Sequence, residues 1–381
     1  MKKNKWLPMF VTVVLLFTFV LAGCTGSNES SENNVNSSSA NNEGKNATIG
    51  VMLYNYTDIQ GKEIKSYCSY LEQNFNVTFK YATIGSSEEE HITGLENLLA
   101  SGVDAVISGY DTALEESLNL ADDAGVYYAV VLGEADENVK SDYFVGGIKQ
   151  FGENPAVLGA VYAEQANQAG VKNVAITSFP AFAFLDAPVI IQGFSDKMAE
   201  LDSAANVYEP EYHSFAPQDA IDAVTKIISD HGDVDAIFAL GSGMDFVYPA
   251  VLNSTKSDIK VLALGYNDST EAALENDSVL MAGTNNYSQI IANAFAQLYD
   301  RLNGHQYTDW KPNGRVNYAT IKSVQDVADF KAYVIPEDKS QGSVTVDELK
   351  QEMLTYNDQA TWEGLQKLTS RTISEIKKAR Q

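Results

Sequence analysis

From Ala47 onward, short apolar runs alternate with stretches in which apolar residues recur every three or four positions. ATIGVMLY (47–54), VTFKYAT (77–83), VDAVISG (103–109) and VYYAVVLG (126–133) read as strands. Helical spacing fills the gaps at 59–74, where Ile64, Tyr67, Cys68 and Leu71 share a face, and around 88–101 and 112–124. After YFVGG (143–147) the rhythm restarts. A helix near 155–169 leads to VKNVAITS (171–178), a helix near 187–201 and the strand NVYEPEYH (206–213). Then follow a helix near 218–231, VDAIFALGS (234–242), a helix near 244–254 and IKVLALGY (259–266). Continuous apolar runs, without polar alternation, mark strands covered on both faces. Two such βαβ series predict an α/β protein with two parallel sheets.

The first 46 residues do not fit that rhythm. Lys2, Lys3 and Lys5 precede an apolar run at 6–22, which predicts a cleaved leader over 1–23. The run ends in Leu21-Ala22-Gly23-Cys24, which resembles the lipobox of bacterial lipoproteins. That resemblance implies cleavage before Cys24, lipidation of Cys24, and a membrane anchor held by its acyl chains. Residues 24–46 are rich in Ser and Asn, too polar to bury a core, and read as a flexible tether.

Charge narrows the function. The chain has 51 acidic and 26 basic residues, a formal charge of -25. A field of that sign repels phosphate backbones, and no basic stripe opposes it, so nucleic acid is excluded as a partner. Cys24 and Cys68 build no disulfide framework or metal knuckle, and Cys68 reads as a small buried hydrophobe. The four histidines are scattered, so no metal is expected. Nucleophile-elbow, phosphate-loop and dinucleotide fingerprints are missing, so neither an enzyme nor a cofactor is expected.

Ligands of parallel sheets bind at the carboxyl ends of the strands. Those ends carry Tyr54-Asn55-Tyr56, Tyr110-Asp111, Gly133-Glu134, the aromatic loop FPAFAFLD (179–186), Gly241 to Asp245, Tyr266-Asn267-Asp268 and Thr284-Asn285. Aromatic faces beside amides suit a neutral ligand with one apolar face and a hydroxylated edge. The stacking candidates are Tyr54, Tyr56, Tyr110, Phe182, Phe184 and Tyr266. The polar candidates are Asn55, Asp111, Glu134, Asp245, Asn267, Asp268 and Asn285. Ordinary packing is the alternative for any single tyrosine, and the 179–186 loop either meets the ligand or packs on its own lobe.

The succession GVDAVISG, AGVYYAVVLG, GVKNVAITS, Gly193-Phe194, VDAIFAL, VLALGYNDSTEAAL and MAGTNNYSQIIANAFAQLYDRLNG resembles the type I periplasmic solute-binding proteins over roughly 47–310. These are the ribose- and galactose-binding-like components of ABC transporters. The resemblance implies two Rossmann-like lobes joined by a multi-strand hinge that close on a ligand, with crossovers near Gly146–Gly147, Gly283–Asn285 and 313–320. It implies an N-terminal lobe of 47–147 plus about 285–312 and a C-terminal lobe of 148–284. Beyond them lie the last crossover and a helical extension at 313–381, packed on the lobes or offered to another protein. The implied function is a monomeric, extracytoplasmic, membrane-anchored binder of a small carbohydrate that delivers it to an ABC permease. The family's sugar-contacting charges are replaced here. Leu132, Gly133 and Glu134 stand where an Asp and Arg are usual, Ile190 replaces an Arg, and Gly241 and Ser242 replace an Asn-Asp pair. Asn267 replaces an Asp, and Asn285 a Gln. A nucleoside binder, or a sensor feeding a membrane kinase or chemoreceptor, remains the alternative.

Overall fold

The computed structural model describes residues 44–85, 87–136, 138–181, 183–335 and 342–381. The leader, Cys24, nearly all of the tether and Phe182 lie outside them. The first sheet holds β1 (Ala47–Leu53), β2 (Val77–Thr83), β3 (Ala105–Ser108), β4 (Tyr127–Val130) and β5 (Phe144–Lys149). The second holds β6 (Asn173–Ser178), β7 (Asn206–Val207), β8 (Glu211–Tyr212), β9 (Ala236–Ala239), β10 (Lys260–Ala263) and β11 (Val279–Thr284). Two late strands, β12 (Asn313–Arg315) and β13 (Ala319–Ile321), complete the sheets.

The sheet orders are β12-β5-β4-β3-β1-β2 and β13-β11-β10-β9-β6-β7, with β8 also paired to β6. Every pairing is parallel except β13 against β11. The fold is therefore two parallel-sheet lobes joined by several strands. β3 and β9 are buried at every residue, because helices cover both faces.

The predicted strand at 206–213 is split. Glu209-Pro210 breaks it into β7 and β8, since proline cannot donate to the ladder. The predicted helix near 244–254 opens as a π-turn over Gly243–Val247 before the short Tyr248–Leu252 helix. Gly146 and Gly147 lie inside β5, so the chain leaves the first sheet after Lys149, slightly later than anticipated. Cys68 is fully buried.

The helix Tyr287–Leu302 follows β11 yet packs into the core of the first lobe. It is buried on all sides from Tyr287 to Asp300, including its polar Gln289, Asn293, Gln297 and Asp300. The C-terminal extension supplies their partners. Asn293 donates to Gln366 and Thr369, Gln289 donates to the Arg371 carbonyl, and Asp300 accepts from the Leu354 and Thr355 amides.

That extension touches both lobes in turn. Val327 and Phe330 of the helix Val324–Tyr333 join the second lobe's core. Val344, Leu349 and Trp362 join the first, and Ile376 of the last helix returns to the second. Lys377 pairs with Asp329 at 2.8 Å to fix that return.

Glu348 ties the extension together. It accepts from Arg371 at 2.7 Å, from Arg380 and from the Thr345 hydroxyl. Burial alone would raise its pKa, but the hydrogen bonds from Arg371 and Thr345 outweigh it and hold the carboxyl at about 2. A carboxylate depressed in the folded state contributes stability that is present above its ordinary value of 4.5 and lost as pH falls toward 2. Glu348→Gln is accordingly expected to flatten the acid limb of the melting temperature between those two values. An unchanged slope in thermal melts across that window would mean the three partners do not hold the charge.

Candidate functional site

The loops at the carboxyl ends of the two sheets meet beside the crossovers. Tyr54, just past β1, stacks on Tyr110, just past β3, with ring centroids 4.0 Å apart and planes at 15°. The Tyr110 hydroxyl accepts from Gln60 Nε2 at 3.0 Å, and the Tyr287 hydroxyl donates to Gln60 Oε1 at 3.4 Å. Gln60 occupies the first turn of the helix Ile59–Glu72, capped by Asp58, so its amide reaches toward the strand ends. Burial pushes the Tyr110 hydroxyl up to about 12, and it stays neutral.

Asn285, at the β11 crossover, donates from Nδ2 to Gln150 Oε1 at 3.0 Å, just past β5. Its Oδ1 is buried and has no hydrogen-bond partner among the described residues. A buried carbonyl oxygen without a donor is costly. It sits where two segments cross between the sheets, after β5 and after β11.

Charged groups gather nearby. Lys149, the last residue of β5, lies 4.0 Å from Glu134, which is exposed. Burial raises the Glu134 pKa, Lys149 lowers it, and Asp186 and Asp111 raise it again. Asp186 precedes the helix Ala187–Leu201 of the other lobe; burial raises it and Lys149 lowers it. Lys149 thus stands between carboxylates of both lobes. Asp111 accepts weakly from the Glu134 amide at 3.4 Å and crowds Gly133, where a Cβ would fall 2.7 Å from its carboxyl carbon.

The other sequence candidates have these surroundings. Tyr56 turns away from the stack: its hydroxyl donates to the Val51 carbonyl at 2.7 Å, and its ring meets Tyr81 edge-on. Asn267 is consumed by its own loop, with Nδ2 donating to the Met244 carbonyl and Asp245 and Oδ1 accepting from Ser269. That bond fixes Asp245, which is exposed, as is Asp268. Asn55 is exposed, but its Oδ1 closes a turn onto Thr57. Tyr266 packs on Phe330 at 4.9 Å, and Phe184 on Phe151 at 5.4 Å. Phe151 in turn meets Tyr318, so Phe184 belongs to an aromatic row at the crossovers. Sequence reasoning missed Gln60, Lys149 and Gln150. Gln60 was signalled only by its place one turn beyond the Tyr54 loop.

Comparison with known proteins agrees with this architecture. A family model described as a periplasmic binding protein domain matches residues 49–306. A search of curated proteins finds no match. Among solved structures, an ABC transporter periplasmic solute binding protein from Actinobacillus succinogenes 130z with bound D-allose is similar at TM-score 0.60 and 16% identity, over 74% of this chain and 99% of that one. One from Bacillus halodurans C-125 with bound myo-inositol gives 0.60 and 15%, over 76% and 98%. An arabinose binding protein from Geobacillus stearothermophilus gives 0.62 and 16%, over 75% and 99%. With the family model covering β2 to β11 of the two sheets, the chain belongs to the periplasmic binding protein family, as a two-lobed binding protein of type I.

Proposed function

We propose that this chain is the lipid-anchored, extracytoplasmic binding component of an ABC importer, and that it takes a small neutral carbohydrate between its lobes. The observation that carries the ligand class is the partnerless Asn285 Oδ1 beside the amides of Gln150 and Gln60 and the Tyr54–Tyr110 stack. Amides offer both donors and acceptors, which match hydroxyl groups, and one open ring face suits the apolar face of a sugar. Structures of similar fold hold D-allose and myo-inositol, both polyhydroxylated rings. Cys24 would carry the lipid, with 1–23 removed and 24–46 as tether. Residues 47–147 with about 285–312 and residues 148–284 would form the two lobes of a monomer. Ligand binding would favour the closed arrangement, and that arrangement would engage the permease.

The stack also bears on the nucleoside alternative. A base held between two rings needs them about 7 Å apart, twice a van der Waals contact. Tyr54 and Tyr110 are 4.0 Å apart and already cover each other. Titration of the full chain in detergent with D-allose, D-arabinose and myo-inositol, and in parallel with adenosine and uridine, tests the reading. Saturable heat from a sugar or cyclitol, with none from nucleosides, is the expected result. Heat from a nucleoside alone would replace the ligand class, and silence across a wide sugar panel would end the carbohydrate reading.

A further inference from the structure

The lobes exchange chain after β5, after β11 and between β12 and β13. The C-terminal extension crosses again at Ser370-Arg371-Thr372. These residues lead from the helix Trp362–Thr369, in the first lobe's core, to the helix Ile373–Ala379, whose Ile376 enters the second. This crossing lies against the one between β12 and β13, where Asn317 donates to the Ser370 carbonyl. Arg371 fixes its first-lobe end. It donates to Glu348 at 2.7 Å and to the Ser343 carbonyl at 2.8 Å, and its own carbonyl accepts from Gln289.

The last helix is held to both lobes at once. Ile376 and the Lys377–Asp329 pair seat it on the second lobe. Arg380, its C-cap, reaches back to the first, donating to the Gly342 carbonyl at 3.1 Å and to Glu348 at 3.4 Å. Gly342 packs against Tyr67 and Ser288 so closely that a Cβ would meet each at 2.7 Å, and Leu349, beside Glu348, is in the first lobe's core. Only 16% of the Arg380 side chain and 23% of the Glu348 side chain are exposed, so water and salt screen the pair less than a surface bridge.

The geometry makes this attachment sensitive to movement at the crossings. At about 1.5 Å per residue, the helix carries Arg380 about 12 Å from Thr372. A lobe rotation of about 15°, unless it runs along the helix axis, would shift Arg380 by about 3 Å against Glu348. Bonds of 3.1 and 3.4 Å do not survive a shift of that size.

We infer that the helix Ile373–Ala379 is a clamp on the hinge: seated in one lobe and bolted to the other by Arg380, it holds the lobes in the present arrangement and lowers the population of any other. A ligand that needs another arrangement must break the Arg380 bonds, and one that fits this arrangement finds it prepared. The clamp rests on the two-lobed fold and not on the identity of the ligand.

Double electron–electron resonance on the spin-labelled full chain in detergent, without ligand, tests this. Labels go on Glu89→Cys and Gln218→Cys, exposed positions just past the outer strands β2 and β8, on the side of each sheet away from the crossovers. Cys68 is fully buried, and Cys24→Ser removes the other thiol. The parent should give one narrow distance peak. Arg380→Gln should broaden it or add a second peak, raising the share of other arrangements by at least about fivefold. Lys331→Gln is the control, because its pair with Glu271 lies wholly within the second lobe, and it should leave the peak unchanged. Both variants should melt cooperatively. A broad distribution in the parent would overturn the inference, as would an Arg380→Gln peak superimposable on the parent's. Broadening by Lys331→Gln as large as that by Arg380→Gln would mark general loosening, and the clamp would fall.

Discussion

Gly159→Ala is expected to destabilise the protein by about 3–5 kcal/mol, although alanine is the better helix former by about 1 kcal/mol. Gly159 lies in the helix Pro155–Gln168 where it crosses the helix Ala187–Leu201. A Cβ there would fall 2.0 Å from the Ile190 carbonyl oxygen and 2.6 Å from the Phe194 nitrogen. The contact is reciprocal, since a Cβ on Gly193 would meet the Ala156 carbonyl oxygen at 2.1 Å. Both obstacles are backbone, which cannot rotate aside as a side chain can. The helices would have to separate, and that would open the core formed by Tyr162, Ile190 and Phe194, each fully buried. Gly232→Ala is the control: nothing lies within 4 Å of a Cβ there, and its effect should be within about 0.5 kcal/mol. Urea unfolding followed by circular dichroism measures both. A Gly159→Ala midpoint no lower than that of the control would show that the crossing is looser than the structure has it.

The gap between what sequence revealed and what it concealed has a physical pattern. β3, β4 and β9 were legible because a strand buried on both faces is apolar throughout, whatever the sequence of its neighbours. The division at Glu209-Pro210 was available in principle, since proline breaks a ladder on its own. The path of the extension was not. Val344 and Trp362 look like any amphipathic spacing, and only the buried polar row of the helix Tyr287–Leu302 shows why they must cover the first lobe before Ile376 returns to the second. The strand ends place Tyr54, Tyr110 and Asn285 where the sequence puts them, just past β1, β3 and β11, because topology alone fixes where such residues emerge. The direction of each side chain came from partners distant in sequence. Tyr56 is drawn to the Ala82 carbonyl and Asn267 to Met244 and Asp245, so neighbouring positions that look alike in sequence differ in how far their polar atoms are already engaged. Gln150 is read as a site residue only once β5 and β11 are seen to leave their sheets side by side, which brings its amide to Asn285.

Asn285→Ala is expected to weaken binding of a cleft sugar by about 30- to 150-fold, equivalent to roughly 2–3 kcal/mol. Two losses combine in that figure. The ligand hydroxyl that would donate to Oδ1 enters the cleft without an acceptor, and Gln150 Oε1 loses the donor that now holds it at 3.0 Å. The free protein should lose only the bond to Gln150, because Oδ1 has no partner among the described residues to lose before ligand arrives. Asn267→Ala should give the opposite signature. Its amide closes the β10 loop through Met244, Asp245 and Ser269, so its removal should lower the melting temperature and alter affinity by less than about fivefold. Calorimetry and thermal melts on the two variants therefore separate a ligand contact from a loop brace, although the two positions look equivalent in the sequence. If Asn285→Ala bound the sugar as tightly as the parent, the partnerless oxygen would be a local defect and the cleft would have to be centred elsewhere. If Asn267→Ala lost binding as deeply, the loop it braces, with Tyr266 and Asp245, would be part of the ligand surface after all.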